Sequence, residues 1–143
     1  MLNISAKTEY ACIAVLELAI RASQDEPVRI RDIAEKHGIP SRFLVQILLQ
    51  LKNAGIVSST RGAAGGYRLA SLPENISLGD VMGAVEGKAE EIVSNATVDT
   101  PACQILQKVW QQIADQQQAS LDAISLEKLA ESIANEDENM YYI

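Results

Sequence analysis

The residues with the plainest chemistry are cations set beside glycines. Gly55 to Leu69 reads G-I-V-S-S-T-R-G-A-A-G-G-Y-R-L, and Arg61 and Arg68 bracket a tip that holds Gly62, Gly65 and Gly66. A guanidinium group forks towards phosphate oxygens or a base edge. Glycines beside it let the backbone approach a polyanion, or a minor groove, without side-chain clashes. Other reactive types are scarce: one histidine, His37, and two cysteines, Cys12 and Cys103. No nucleophile–base constellation, Walker loop or metal-ligand spacing appears, so no enzyme and no metal site is expected.

The elements that would position these cations follow from pattern. Ile56–Thr60 and Tyr67–Leu69 have strand character around the glycine tip, which predicts a β-hairpin. Ahead of it, Val28–Gly38 reads as a short amphipathic helix ended by glycine. Pro40 is placed to open a second helix, about Ser41 to Ala54, with Leu44, Ile47, Leu48 and Leu51 on one face. Two helices joined by a tight turn make a helix-turn-helix, and a hairpin directly after it makes the unit winged. The outward face of the second helix is then the reading face: Ser41, Arg42, Val45, Gln46 and Leu49. Arg42 suits guanine or phosphate, Gln46 suits adenine, and Val45 suits a thymine methyl. Lys52 adds a cation near the helix end. A merely solvated face would suit Arg and Gln, but it fits an outward Val45 and Leu49 less well.

Charge distribution agrees. Net charge is −7, yet residues 1–70 hold nine Lys/Arg against six Asp/Glu, while residues 71–143 hold three against thirteen. A basic working half and an acidic remainder are expected. Ser5 to about Ala22 lacks Gly and Pro and predicts a helix buried from several sides, with Cys12 a small buried hydrophobe. Lys7 and Tyr10 open it, near enough to touch phosphate, although Tyr10 also suits the core. Met1–Lys7 has no signal-peptide pattern, and Ala11–Ile20 is too short to span a membrane, so a cytoplasmic location is expected.

In the acidic half, Ser77-Leu-Gly-Asp80 has capping-box form and opens a helix to about Val85, with Ile76 and Val81 as a staple. Residues 86–99 read as an acidic loop, either a sensing segment or simply mobile. Thr100-Pro101 is a strong start for a helix to about Ala123. Leu106, Val109, Trp110, Ile113 and Leu121 line one side of it. Such a stripe needs cover, from a second copy of the chain or from the first helix. A last helix is expected to end near Ala134, before an acidic tail that closes Met-Tyr-Tyr-Ile.

Several of these stretches together resemble the signature of the Rrf2 family of bacterial transcription regulators. They are Ile4–Ala11, Ile39…Phe43-Leu44…Gln46-Ile47-Leu48, Leu51–Ser58, Arg61-Gly62, Gly65–Leu69, Ser77–Val81 and Trp110. The resemblance covers nearly the whole chain. It implies a homodimeric winged-helix protein that binds a double-stranded DNA operator, usually as a repressor, and responds to redox, iron–sulfur or cysteine status. Cluster-binding members carry three cysteines between the fourth helix and the dimer helix. Here that region holds only Cys103, and one thiolate cannot hold a cluster that needs about four ligands. No iron–sulfur cofactor is therefore expected, and the character is closest to the family's cluster-free cysteine-metabolism repressors. Val45 stands where many relatives have a base-reading Glu, so their operator sequence does not carry over. Cys103 falls in a first helical turn, where the helix dipole favours anions, making it either a candidate redox switch or a packing residue. The ending Tyr141-Tyr142-Ile143 is similar to that of the cysteine-metabolism repressors, which pair with cysteine synthase. It is a candidate docking tail, or a segment packed on its own dimer.

The expectation is thus a mainly α chain. A winged helix-turn-helix DNA-binding domain spans 1–85, an acidic loop 86–99, and a dimerisation helix, short helix and tail 100–143. The rival is a winged-helix protein–protein module that has lost DNA binding; Arg42, Lys52, Arg61 and Arg68 argue against it.

Overall fold

A computed structural model describes residues 2–24, 26–87 and 91–141. Its organising element is α1 (Ala6–Ile20), which Ser5 caps by accepting the Thr8 amide at 3.2 Å. Ala11, Ala14, Val15 and Leu18 leave almost no surface exposed, so this helix is apolar on most sides. It packs against α3 (Ser41–Asn53), α4 (Leu78–Glu86) and α6 (Leu126–Tyr141). Between α1 and α3 lies α2 (Ile30–His37), ended by Gly38 in the left-handed conformation. On α3, Leu44, Ile47, Leu48 and Leu51 are buried as their spacing predicts.

The hairpin pairs β1 (Val57–Thr60) with β2 (Gly66–Leu69), Val57 opposite Leu69 and Thr60 opposite Gly66. Val28 adds a rung the sequence did not suggest. It and Tyr67 exchange both backbone hydrogen bonds, each 2.8 Å, so Val28 and Arg29 are extended and α2 starts later than expected. Cross-strand pairing satisfies two polar backbone groups on either side that one more helical turn would not reach.

The capping box before α4 forms in full: Asp80 N donates to Ser77 Oγ and Ser77 N to Asp80 Oδ2, both at 3.0 Å. Glu86, expected to begin the loop, is instead the last residue of α4. Its Oε1 accepts the buried Thr8 hydroxyl at 2.8 Å, fastening α4 to the start of α1. Thr100 Oγ1 caps α5 (Pro101–Asp122) through the Cys103 amide at 3.3 Å.

The last helix departs most from expectation. No Gly or Pro interrupts residues 126–141, and α6 runs through the acidic segment to Tyr141 rather than stopping near Ala134. Nor does it belong with α5. Leu126 is buried in the common core, and its amide donates to Ile76 O at 2.9 Å while the Leu78 amide donates to Ile124 O at 2.8 Å. So the chain after α5 returns to the winged unit and packs on α1.

Candidate nucleic-acid interface

The two faces of α3 separate cleanly. Its apolar row is sunk in the core, and Ser41, Arg42, Val45, Gln46 and Leu49 all stand exposed on the other side. Val45 and Leu49 are each about half exposed, 51% and 53%, which places two aliphatic groups beside Arg42 and Gln46 on the same face. Arg42 is not loose: its guanidinium carbon lies 5.0 Å from the Phe43 ring centroid, and Phe43 in turn leans on Tyr10, centroids 6.3 Å apart. An aromatic shelf of this kind limits the directions the cation samples. Phe43, an aromatic next to the expected reading face, thus joins the residues that shape this surface.

The wing is fastened to this helix. Lys52 Nζ donates to Ser59 Oγ at 2.7 Å, tying the end of α3 to β1. From the other side Arg29 donates to the Ala63 carbonyl in the tip. That contact was not legible in the sequence, because thirty-four positions separate the two residues. Arg61 and Gly62 are exposed at the tip, and Arg68 is exposed on β2 opposite Ser58.

Two of the expected glycines are also required by the packing of the loop itself. Gly65 is buried, and a Cβ there would overlap the Thr60 carbonyl oxygen, so glycine at this position lets the loop close. At Gly66, with φ 155°, a Cβ would lie 2.5 Å from the Val28 carbonyl oxygen. The Val28 rung therefore requires glycine at this position.

The expected dimer stripe is present and uncovered. No residue of α5 is buried, and Leu106, Val109, Trp110 and Ile113 are 48%, 44%, 51% and 56% exposed, while Leu121 is partly covered. Within the chain α5 meets α4 rather than lying along α1.

The cysteines and the histidine do not gather. Cys12 is half-buried against the core, and burial, then the negative charge of Glu86, pushes its thiol up to about 11. Cys103 Sγ donates to Ser94 Oγ at 2.9 Å, linking the acidic loop to the first turn of α5. His37, the last residue of α2, is engaged by Glu17 at 2.8 Å. Among the described residues no three His, Cys, Asp or Glu side chains converge on one point. The donor set therefore does not fit an iron–sulfur cluster: the region holds one thiol, and the other cysteine is a core residue far from thiolate form. Tyr141 ends α6, whereas Tyr142 and Ile143 lie outside the described residues. No helix among the described residues is long and apolar enough to cross a membrane.

Comparison with known proteins agrees with this geometry. Residues 4–132 match the Rrf2 family profile, described as an iron-dependent transcriptional regulator. The regulator CymR of Bacillus subtilis is 34% identical over 145 residues, covering 99% of this chain and 100% of that one. The regulator IscR of Aliivibrio salmonicida is 34% identical over 133 residues, covering 90% and 77%. The solved structure of B. subtilis CymR, titled the global cysteine regulator, superposes with a TM-score of 0.80 at 35% identity, over 92% of this chain and 98% of that one. These relatives are regulators of transcription rather than enzymes. A winged helix-turn-helix with an exposed reading face, matched over nearly its whole length by such proteins, is a DNA-binding transcription regulator, and the chain belongs to the Rrf2 family.

Proposed function

We propose that this regulator acts as a homodimeric repressor, each copy placing α3 in a major groove and its wing against the flanking backbone. The carrying observation is the division of α3 into a fully buried row and an exposed row of Ser41, Arg42, Val45 and Gln46, with Lys52 tying the wing to its end. On this reading Arg42 and Gln46 meet base edges, Val45 a thymine methyl, and Arg61 and Arg68 the phosphates or minor groove. Gly62 lets the tip approach, and Gly65 and Gly66 shape it from beneath. The half-exposed stripe of α5 is the natural seam for a second copy, because paired half-sites are read by two-fold dimers. A mobility-shift assay on the DNA upstream of the protein's own coding region tests the proposal. A shifted band that competitor of scrambled sequence does not remove is expected; no sequence preference would favour the protein–protein module.

The signal we assign is sulfur, redox or iron status, read without a resident cluster. The thiol at Cys103 and the cysteine-regulator relatives support the first two. Protein purified without oxygen should show no visible absorption band, and a band would reverse the cluster-free reading. If Cys103 is a redox switch, oxidation should change DNA binding of the wild type and not of Cys103→Ser. The ending Tyr141-Tyr142-Ile143 remains a candidate for docking into cysteine synthase. Deleting Tyr142 and Ile143 should then abolish co-elution with the synthase. The site of action is the cytoplasm.

A further inference from the structure

Glu17 is the only charged residue among the described residues that is buried, its side chain 1% exposed. Both its oxygens are engaged. Oε2 accepts Arg21 Nε at 2.9 Å, one turn along α1, and Oε1 accepts Lys36 Nζ and His37 Nε2, each at 2.8 Å. Lys36 and His37 are the last two residues of α2, so the carboxylate joins α1 to the end of that helix. A buried ion cluster is seldom the cheapest way to hold two helices together, since apolar packing of the same volume does as well or better. What it adds is direction, because charged hydrogen bonds are strongly oriented.

The place where that direction acts is specific. At eight residues α2 is too short to persist alone, and only Ile33 and Ala34 are buried from it. Its start is tied to the wing through Arg29 and the Val28–Tyr67 rung, and its end is tied to α1 through Glu17. Directly after that end come Gly38, buried Ile39 and Pro40, and then α3. Where α2 stops therefore decides how α3 leaves the turn.

We infer that Glu17 is a positioning residue for sequence reading: by fixing the end of α2 against α1 it sets the angle at which α3 presents Arg42, Val45 and Gln46. The inference rests on α3 being the reading helix. Phosphate contacts tolerate small rotations of the protein, whereas base-edge hydrogen bonds do not. Loss of Glu17 should thus erode specificity more than general affinity for DNA.

The test compares affinity for a duplex selected by the wild type from a random library with that for a scrambled duplex of equal length. Glu17→Gln keeps the shape and removes the charge. It should fold, keep the wild-type oligomeric state, and lower the specific-to-scrambled ratio about tenfold, the size of one lost base contact. Lys36 is half exposed, so Lys36→Met should lower the ratio about threefold, as for a partly exposed pair, and Lys36→Arg should restore it. A folded Glu17→Gln protein with the wild-type ratio overturns the inference. Should that variant fail to fold, Lys36→Met decides: an unchanged ratio overturns it, and a loss that Lys36→Arg repairs upholds it. A wild type that enriches no duplex overturns the DNA-reading assignment of α3 itself, a result separate from either.

Discussion

The winged unit and α5 carry the same apolar periodicity and meet opposite fates. Leu44, Leu48 and Leu51 on α3 are fully buried, while Leu106, Val109, Trp110 and Ile113 on α5 stay about half in water. Both stripes recur every three or four residues, so pattern alone ranks them as equals. They differ in what the fold brings opposite. α3 faces α1, α2 and α4, whereas α5 meets α4 within the chain and presents its stripe outward. A hydrophobic stripe says that a face must be covered; it does not say whether the cover is this chain or another. Burying such side chains is worth about 1.5–3 kcal/mol each when complete, so the α5 stripe holds a substantial drive for association.

Four experiments would break or sharpen that contrast. The largest effect is expected in the winged core. Leu44→Ala, at a position with no exposed surface, should cost about 2–5 kcal/mol of unfolding free energy in a urea titration. At the opposite pole, Trp110→Glu should leave that unfolding free energy nearly unchanged. It should weaken self-association by about 2 kcal/mol or more in sedimentation equilibrium, as expected of a central interface aromatic. Comparable instability from both variants would mean that the stripe is covered within the chain. Next in size, Arg61→Ala should weaken operator binding by about 1–3 kcal/mol in a titration at fixed salt, with no change in folding or association. An Arg61→Ala protein that binds normally would place the wing away from DNA.

The smallest effect is in pH dependence, and it concerns two groups on α1, Glu17 and Cys12. For Glu17, burial raises the carboxyl pKa, but the hydrogen bonds from Lys36 and His37, with the charges of Lys36 and Arg21, outweigh it. The net shift is below the usual 4.5. As pH falls through that value the unfolded chain takes the proton first. The stabilisation is therefore complete above about 4.5 and lost as pH drops towards the folded-state value. Cys12 works in the other direction. Its thiol rises from 9.0 to about 11, so the unfolded chain releases the proton first and stability declines as pH climbs between these values. Glu17→Gln should remove part of the acid slope and Cys12→Ala part of the alkaline one, measured by thermal unfolding across pH.

Specificity adds a second lesson from the same contrast. The proposed reading face is an exposed row on α3, and by our inference polar contacts at the two ends of α2 hold it in place: Glu17 at one end, Arg29 and Val28 at the other. None of these residues belongs to the face. An interface inventory limited to exposed cations would include Arg42, Lys52, Arg61 and Arg68 and omit the groups we propose to aim them.

Much of the molecule was legible from local signals, because the interactions behind them span only a few residues. The capping box of Ser77 and Asp80, the Thr100-Pro101 start, the buried row of α3 and the glycine-tipped hairpin are of this kind, and each appears where expected. The contacts of Glu17 with Lys36 and His37, the Arg29–Ala63 tie, the Val28 rung and the Glu86–Thr8 bond were not legible. Each joins residues from 19 to 78 positions apart, and no local preference specifies such a partner. The tertiary structure also decided that α6 returns to the core of α1. Leu126 is buried there, and its amide donates to the Ile76 carbonyl, so the end of the chain packs on the winged unit and leaves α5 exposed. Sequence determined which faces are apolar and where helices begin; only packing in three dimensions determined which of those faces the chain itself could cover.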